Sequence, residues 1–176
     1  MIKIGTSGFS FPDWVGDVYP SDIKQEDMLP YYEKELGFKI TEINFTYYTI
    51  PSQKSFEGLI KKTSHDFEFA VKAHKSLTHE IRDKETGEFI NNNDAFERFL
   101  YAIEPLKREG RLTAILAQFP YSFYELKDNY NYILTFKEKM KDIPLVVEFR
   151  NYHWHGNRSI MFLKQNNIGY CIVDEP

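Results

Sequence analysis

Two runs decide the fold of this chain: Thr113-Ala114-Ile115-Leu116-Ala117-Gln118 and Leu145-Val146-Val147-Glu148-Phe149-Arg150. Each is apolar and β-branched until its end, where it turns polar. Between them Tyr130, Ile133, Leu134 and Met140 recur at helical spacing. Strand, helix and strand in that order make a βαβ unit, whose strands pair in parallel. The alternation continues outward in both directions. Further strand-like runs are Ile2–Gly5, Ile40–Asn44, Phe67–Lys72 and Gly169–Asp174, which makes six. Met28, Leu29, Tyr32 and Leu36 form a helix closed by Gly37, and Ser52 caps another that carries Phe56, Leu59 and Ile60. Asp94, with Glu97 three residues on, reads as a capping box. The helix it opens carries Phe96, Phe99, Leu100, Ile103 and Leu106, with Pro105 expected to bend it. Ile160 and Leu163 mark a last helix that ends near Asn166-Asn167.

Two parallel architectures fit, an open doubly wound sheet and a (β/α)8 TIM barrel. Gly5-Thr6-Ser7-Gly8 after the first run matches neither a dinucleotide fingerprint nor a Walker A loop and reads as a tight turn. The strand starts recur about every 33 residues, close to the ~31 of a barrel of ~250 residues in eight units. Six strands leave such a barrel short by two units, on the order of 60 residues. The expectation is therefore an α/β chain, residues 1–176, forming a single incomplete TIM-barrel domain with its last two units missing. The end strands would be free edges, open to self-association.

Composition narrows the functional classes. Lys and Arg number 22 against 26 Asp and Glu, a net charge of −4, which lacks the basic footprint of a general nucleic-acid or anionic-membrane binder. The single cysteine, Cys171, excludes an intramolecular disulfide framework and reads as a small buried thiol. No secretory leader opens the chain, and no apolar run reaches the ~18 residues of a membrane span. A cytoplasmic protein is expected.

Strands of a helix-covered parallel sheet should be apolar throughout, and these are not. Period-two alternation sets Glu42 and Asn44 against Ile43 and Phe45, and Glu148 and Arg150 against Val147 and Phe149. Lys72, Gln118 and Asp174 end their own strands. Helix packing claims the apolar set, so the polar set should converge at the C-terminal rim, where barrel enzymes hold their sites. Glu42 and Glu148 are the candidate catalytic acid and base. Asn44, Lys72, Gln118, Arg150 and Asp174 are candidate ligand contacts, joined by His79 and Trp154 from loops over the mouth. His74 is a weaker acid–base candidate on the long connection from Ala73 to Asn93. The competing reading is structural: Glu42 with Lys72, and Arg150 with Glu148 or Asp174, would be ion pairs plugging the barrel. His153-Trp154-His155 has an H-x-H spacing but no third ligand, so no metal centre is expected. Aromatic clusters such as Phe45-Thr46-Tyr47-Tyr48 and Phe119-Pro120-Tyr121 read mainly as packing, with a minority able to stack a sugar or base.

Several motifs occur together in order: Gly5-Thr6-Ser7-Gly8, Trp14-x-Gly16, Tyr19-Pro20, Tyr31-Tyr32, Glu42-Ile43-Asn44 with Tyr47 and Pro51, and Phe69-x-Val71-Lys72. Gln118-Phe119-Pro120, Glu148-Phe149-Arg150 with Trp154, and Asp174-Glu175-Pro176 continue the series. The set resembles the YecE-like domain-of-unknown-function family over essentially the whole chain. The resemblance implies a TIM barrel and a sugar-isomerase-related description, without an established reaction or cofactor. Phe9 stands where the family usually has tryptophan. The family continues past the last motif through an Arg-x-His-Gly motif and two further barrel units, which agrees with an incomplete barrel. The leading expectation is a small-molecule site for a polar or anionic ligand of the sugar or sugar-phosphate type, with Lys72 and Arg150 as electrostatic clamps. A nucleic-acid-processing barrel and a non-catalytic binding or scaffold protein are the alternatives.

Overall fold

A computed structural model describes residues 2–174; Met1, and Glu175 and Pro176 of the last motif, lie outside them. Helix α1 (Met28–Lys34) precedes β1 (Ile40–Ile43). Four βα returns follow: α2 (Gln53–Lys61) to β2 (Glu68–Lys72), α3 (Asn93–Arg108) to β3 (Leu112–Phe119), α4 (Lys127–Met140) to β4 (Leu145–Phe149), and α5 (Asn157–Gln165) to β5 (Gly169–Tyr170). All neighbours pair in parallel and the strand order equals the chain order. Among the described residues no helix is long and apolar enough to cross a membrane.

The two faces of the sheet differ in chemistry. Thr41, Ile43, Phe69, Val71, Ile115, Ala117, Phe119, Leu145, Val147 and Phe149 are all buried. Most of them share one core with Phe56 of α2, Phe96 and Phe99 of α3, Ile133 and Phe136 of α4 and Leu163 of α5. The alternate positions Glu42, Ala70, Lys72, Ala114, Gln118 and Val146 remain partly exposed. Helices thus take one face, and polar and small side chains share the other with the aliphatic pair Leu116 and Val146.

Three details depart from the sequence reading. Among the described residues five strands are present rather than six, because Ile2–Gly5 does not join the sheet. Ile2 and Ile4 are 89% and 72% exposed, and only Thr6 bridges to Thr41. The Tyr32 hydroxyl explains why: it accepts from the Thr6 N–H at 2.9 Å and donates to the Ile40 carbonyl at 3.1 Å. A side chain thereby occupies backbone groups that a continuing ladder would need. The last run shortens to Gly169–Tyr170, with one further bond from Cys171 N–H to the Val147 carbonyl at 2.9 Å. Helix α3 begins at Asn93, and Asp94 lies inside its first turn, 3.8 Å from Arg98, instead of capping it. Both β1 and β5 are edges in the described sheet, so it is open.

Away from the sheet, Glu33 of α1 is only 3% exposed. It accepts from the Ser64 N–H at 2.9 Å, from the Ser64 hydroxyl, and from Lys39 Nζ at 3.1 Å. Burial pushes its carboxyl upward, but the Ser64 and Lys39 donors outweigh burial and hold it below the usual carboxylate range. A depressed folded value means stability that is present above the unfolded pKa and lost as pH falls through the folded one. Glu33→Gln should therefore cost about 1–3 kcal/mol at neutral pH. That difference from the parent should shrink as pH drops below the ordinary carboxylate range, measured by urea unfolding across a pH series.

Candidate functional site

The rim at the carboxyl ends of β1–β4 is assembled by register. Gln118 of β3 and Glu148 of β4 are direct partners across the ladder. The Gln118 amide consequently donates to Glu148 Oε1 at 2.6 Å. Arg150, just past β4, sets its Nε 2.8 Å from the same oxygen. On β1, Glu42 accepts from the Ser7 hydroxyl at 2.8 Å, and Asn44 Nδ2 donates to that hydroxyl at 2.8 Å and to the Ser7 carbonyl at 3.1 Å. Glu42 pairs with Ala70, and Ala70 with Ala114, so short side chains fill the row beside it.

A single 3-10 turn, Phe45–Tyr47, follows β1 and is pinned from below. Buried Thr46 donates its hydroxyl to the Lys72 carbonyl at 2.6 Å. This puts the Tyr47 ring 5.1 Å beneath Lys72 Nζ, a cation–π contact. The cavity so formed measures about 390 Å³ and is lined by Ser7, Glu42, Asn44, Tyr47, Tyr48, Lys72, Gln118, Glu148 and Arg150. Six of the ten candidate residues therefore line one cavity.

The other four do not. His79 stands behind Tyr47, ring centroids 5.0 Å apart, with Nδ1 2.9 Å from the Thr78 hydroxyl. Burial, then the nearby Lys72 and Arg150 charges, lower its pKa against the opposing pull of Glu80. Trp154 is fully buried, donates Nε1–H to the Phe123 carbonyl at 2.6 Å and stacks on Phe149 at 4.3 Å. It belongs to the core, because its one polar atom finds a partner there. Asp174 is exposed and outside the cavity. His74 caps its own turn, accepting from the Ser76 N–H at 3.2 Å.

Of the two charge pairings that would plug the rim, only Arg150 with Glu148 forms. The Lys72 ammonium makes no hydrogen bond or ion pair among the described residues, its cation–π contact aside. Burial lowers its pKa and Arg150 adds to that, against the attraction of Glu42 and Glu148. Sequence reasoning passed over Ser7 as a site residue, although the Gly5-to-Gly8 turn was its signal. Cys171, expected to be a small buried thiol, is half-buried. Burial, the charges of Glu148 and Glu42, and a hydrogen bond to Glu148 all raise the Cys171 thiol above its usual range, with Arg150 opposing.

Fold and rim together define a parallel α/β protein with a mixed-charge cleft at the carboxyl ends of its strands. The chain belongs to the DUF72 family of proteins of unknown function, whose pattern matches residues 3–176; YecE-like names the same family. It is 29% identical over 180 residues to UPF0759 protein YunF of Bacillus subtilis (strain 168), covering 100% of this chain and 61% of that protein. A crystal structure of a DUF72 family protein from Thermotoga maritima MSB8 superposes with a TM-score of 0.87 at 44% identity, covering 100% of this chain and 66% of that one. A second, from Enterococcus faecalis V583, gives 0.79 at 24% identity over 100% and 64%, and speaks to the fold alone. The chain thus spans less than two thirds of the length of these relatives.

The electrostatics of Cys171 are directly testable. Iodoacetamide alkylation of the parent should be slow near neutral pH, because the thiolate is disfavoured. Glu148→Gln removes the adjacent negative charge and should move the pH–rate profile to lower pH. An unchanged profile would show that the carboxylate does not act on the thiol.

Proposed function

We propose that the sheet is part of a (β/α)8 barrel, one incomplete barrel domain spanning this chain, and that the rim cleft is its ligand site. The ligand class is a small polar or anionic molecule of the sugar or sugar-phosphate type. Support for the barrel comes from the sequential parallel order, the helices on one face, and polar side chains at the carboxyl strand ends of the other.

One observation carries the ligand reading. Lys72 is partly buried at the cavity and without an ion-pair partner among the described residues, while Glu42 and Glu148 are engaged by other donors. Desolvating an ammonium without a counter-ion costs free energy, and sites tolerate such strain where folding alone does not. Lys72 and Arg150 would clamp an anionic group, Asn44 and Gln118 would orient hydroxyls, and Glu42 and Glu148 are placed for proton transfer. The plug reading accounts for the Arg150–Glu148 pair but leaves Lys72 unexplained.

Isothermal calorimetry with inorganic phosphate and with glucose 6-phosphate, run beside thermal unfolding, tests this. Lys72→Met should weaken binding by about tenfold or more, as loss of a charged hydrogen-bond donor does, with an unchanged or higher Tm. No binding to the parent protein, or a fall in Tm with binding intact, would overturn the reading.

A further inference from the structure

A second cavity adjoins the cleft, and its chemistry is opposite. The chain from Ser7 to Tyr19 is braced internally. Gly8 holds φ +115°, and a Cβ there would lie 2.8 Å from the Phe11 ring, so that ring packs directly on the glycine. Phe11 in turn meets Trp14 at 4.8 Å, and the Tyr19 hydroxyl donates to the Phe9 carbonyl at 2.6 Å. This loop, with Leu29 of α1, Leu59 of α2 and Phe45, encloses a mainly apolar cavity of about 470 Å³, within the range of small-molecule sites.

Its wall toward the cleft is Ser7, Glu42 and Asn44, and these three residues line both cavities. They form the hydrogen-bonded ridge already described, so one molecule lying across it meets both spaces. Lys62, the cation on the apolar side, donates Nζ–H to the Glu26 carbonyl at 2.9 Å. Negative charge is therefore better placed in the cleft with Lys72 and Arg150, and a ring among Phe9, Phe11 and Phe45. We propose that the two cavities bind one bipartite ligand, an anionic head in the cleft and a planar apolar group beside it, as in an aryl phosphate ester. This rests on the cleft being the anion site.

Calorimetric titration with inorganic phosphate, phenyl phosphate and 1-naphthyl phosphate separates the two ideas. Affinity should rise along that series, by about tenfold or more from phosphate to the naphthyl ester, as burial of an aromatic ring provides. Phe45→Ala truncates an exposed wall residue, and Ser10→Phe fills the cavity from an exposed position. Both should remove the gain for the aryl esters and leave phosphate binding as it was, whereas Lys72→Met should weaken all three probes. Equal affinity across the series overturns the second cavity's role and leaves the anion site standing. A gain that survives both cavity variants places the ring elsewhere and also overturns it. Binding of none of the three removes the anion site and this inference with it.

Discussion

Parallel pairing of β1 to β5 obliges the chain to return after every strand, and here each return is a helix on the same face of the sheet. That face must then be apolar along its whole length, from Ile43 to Phe149. The period of two leaves the alternate positions with no helix to satisfy. They carry Ala70 and Ala114 within the sheet, and charged or amide groups where the strands end. The cleft is a consequence of this division, since polar groups at strand ends keep access to water and to one another.

Side chains that bond the backbone then decide how the loops present themselves. Thr46 ties the turn after β1 to the end of β2 and so fixes Tyr47 beside Lys72. Asn151, fully buried, donates to the Tyr121 carbonyl at 2.6 Å and accepts from the His153 N–H at 3.0 Å, joining the loops that follow β3 and β4. Tyr32 does the same for the segment before β1. Each of these groups is satisfied locally, which makes a short connection rigid without a ladder.

Charge balance in the cleft is uneven. Glu148 gathers the Gln118 amide and Arg150 on one oxygen, and Glu42 is held by a neutral hydroxyl. Lys72 faces both carboxylates at longer range, over an aromatic ring. Cys171 senses the same two carboxylates from β5's side of the rim. A cation with neutral and π neighbours, next to engaged carboxylates, is an arrangement suited to receiving a further anion.

The amino-acid sequence determined the parallel α/β class, four of the five strand positions closely, and the face on which Glu42, Asn44, Lys72, Gln118, Glu148 and Arg150 stand. It could do so because hydrophobic period and strand phase are local properties. It did not determine the first segment, since whether Ile2–Gly5 joins the ladder depends on a tyrosine hydroxyl that arrives from α1. Nor did it assign Trp154 to the core or Ser7 to the cleft, because those placements depend on which distant atom each side chain meets. Glu33 shows the same limit: it looks like any helix-surface carboxylate until Ser64 folds over it. Periodicity reports which way a residue points within its own element; only the packed chain supplies what it points at.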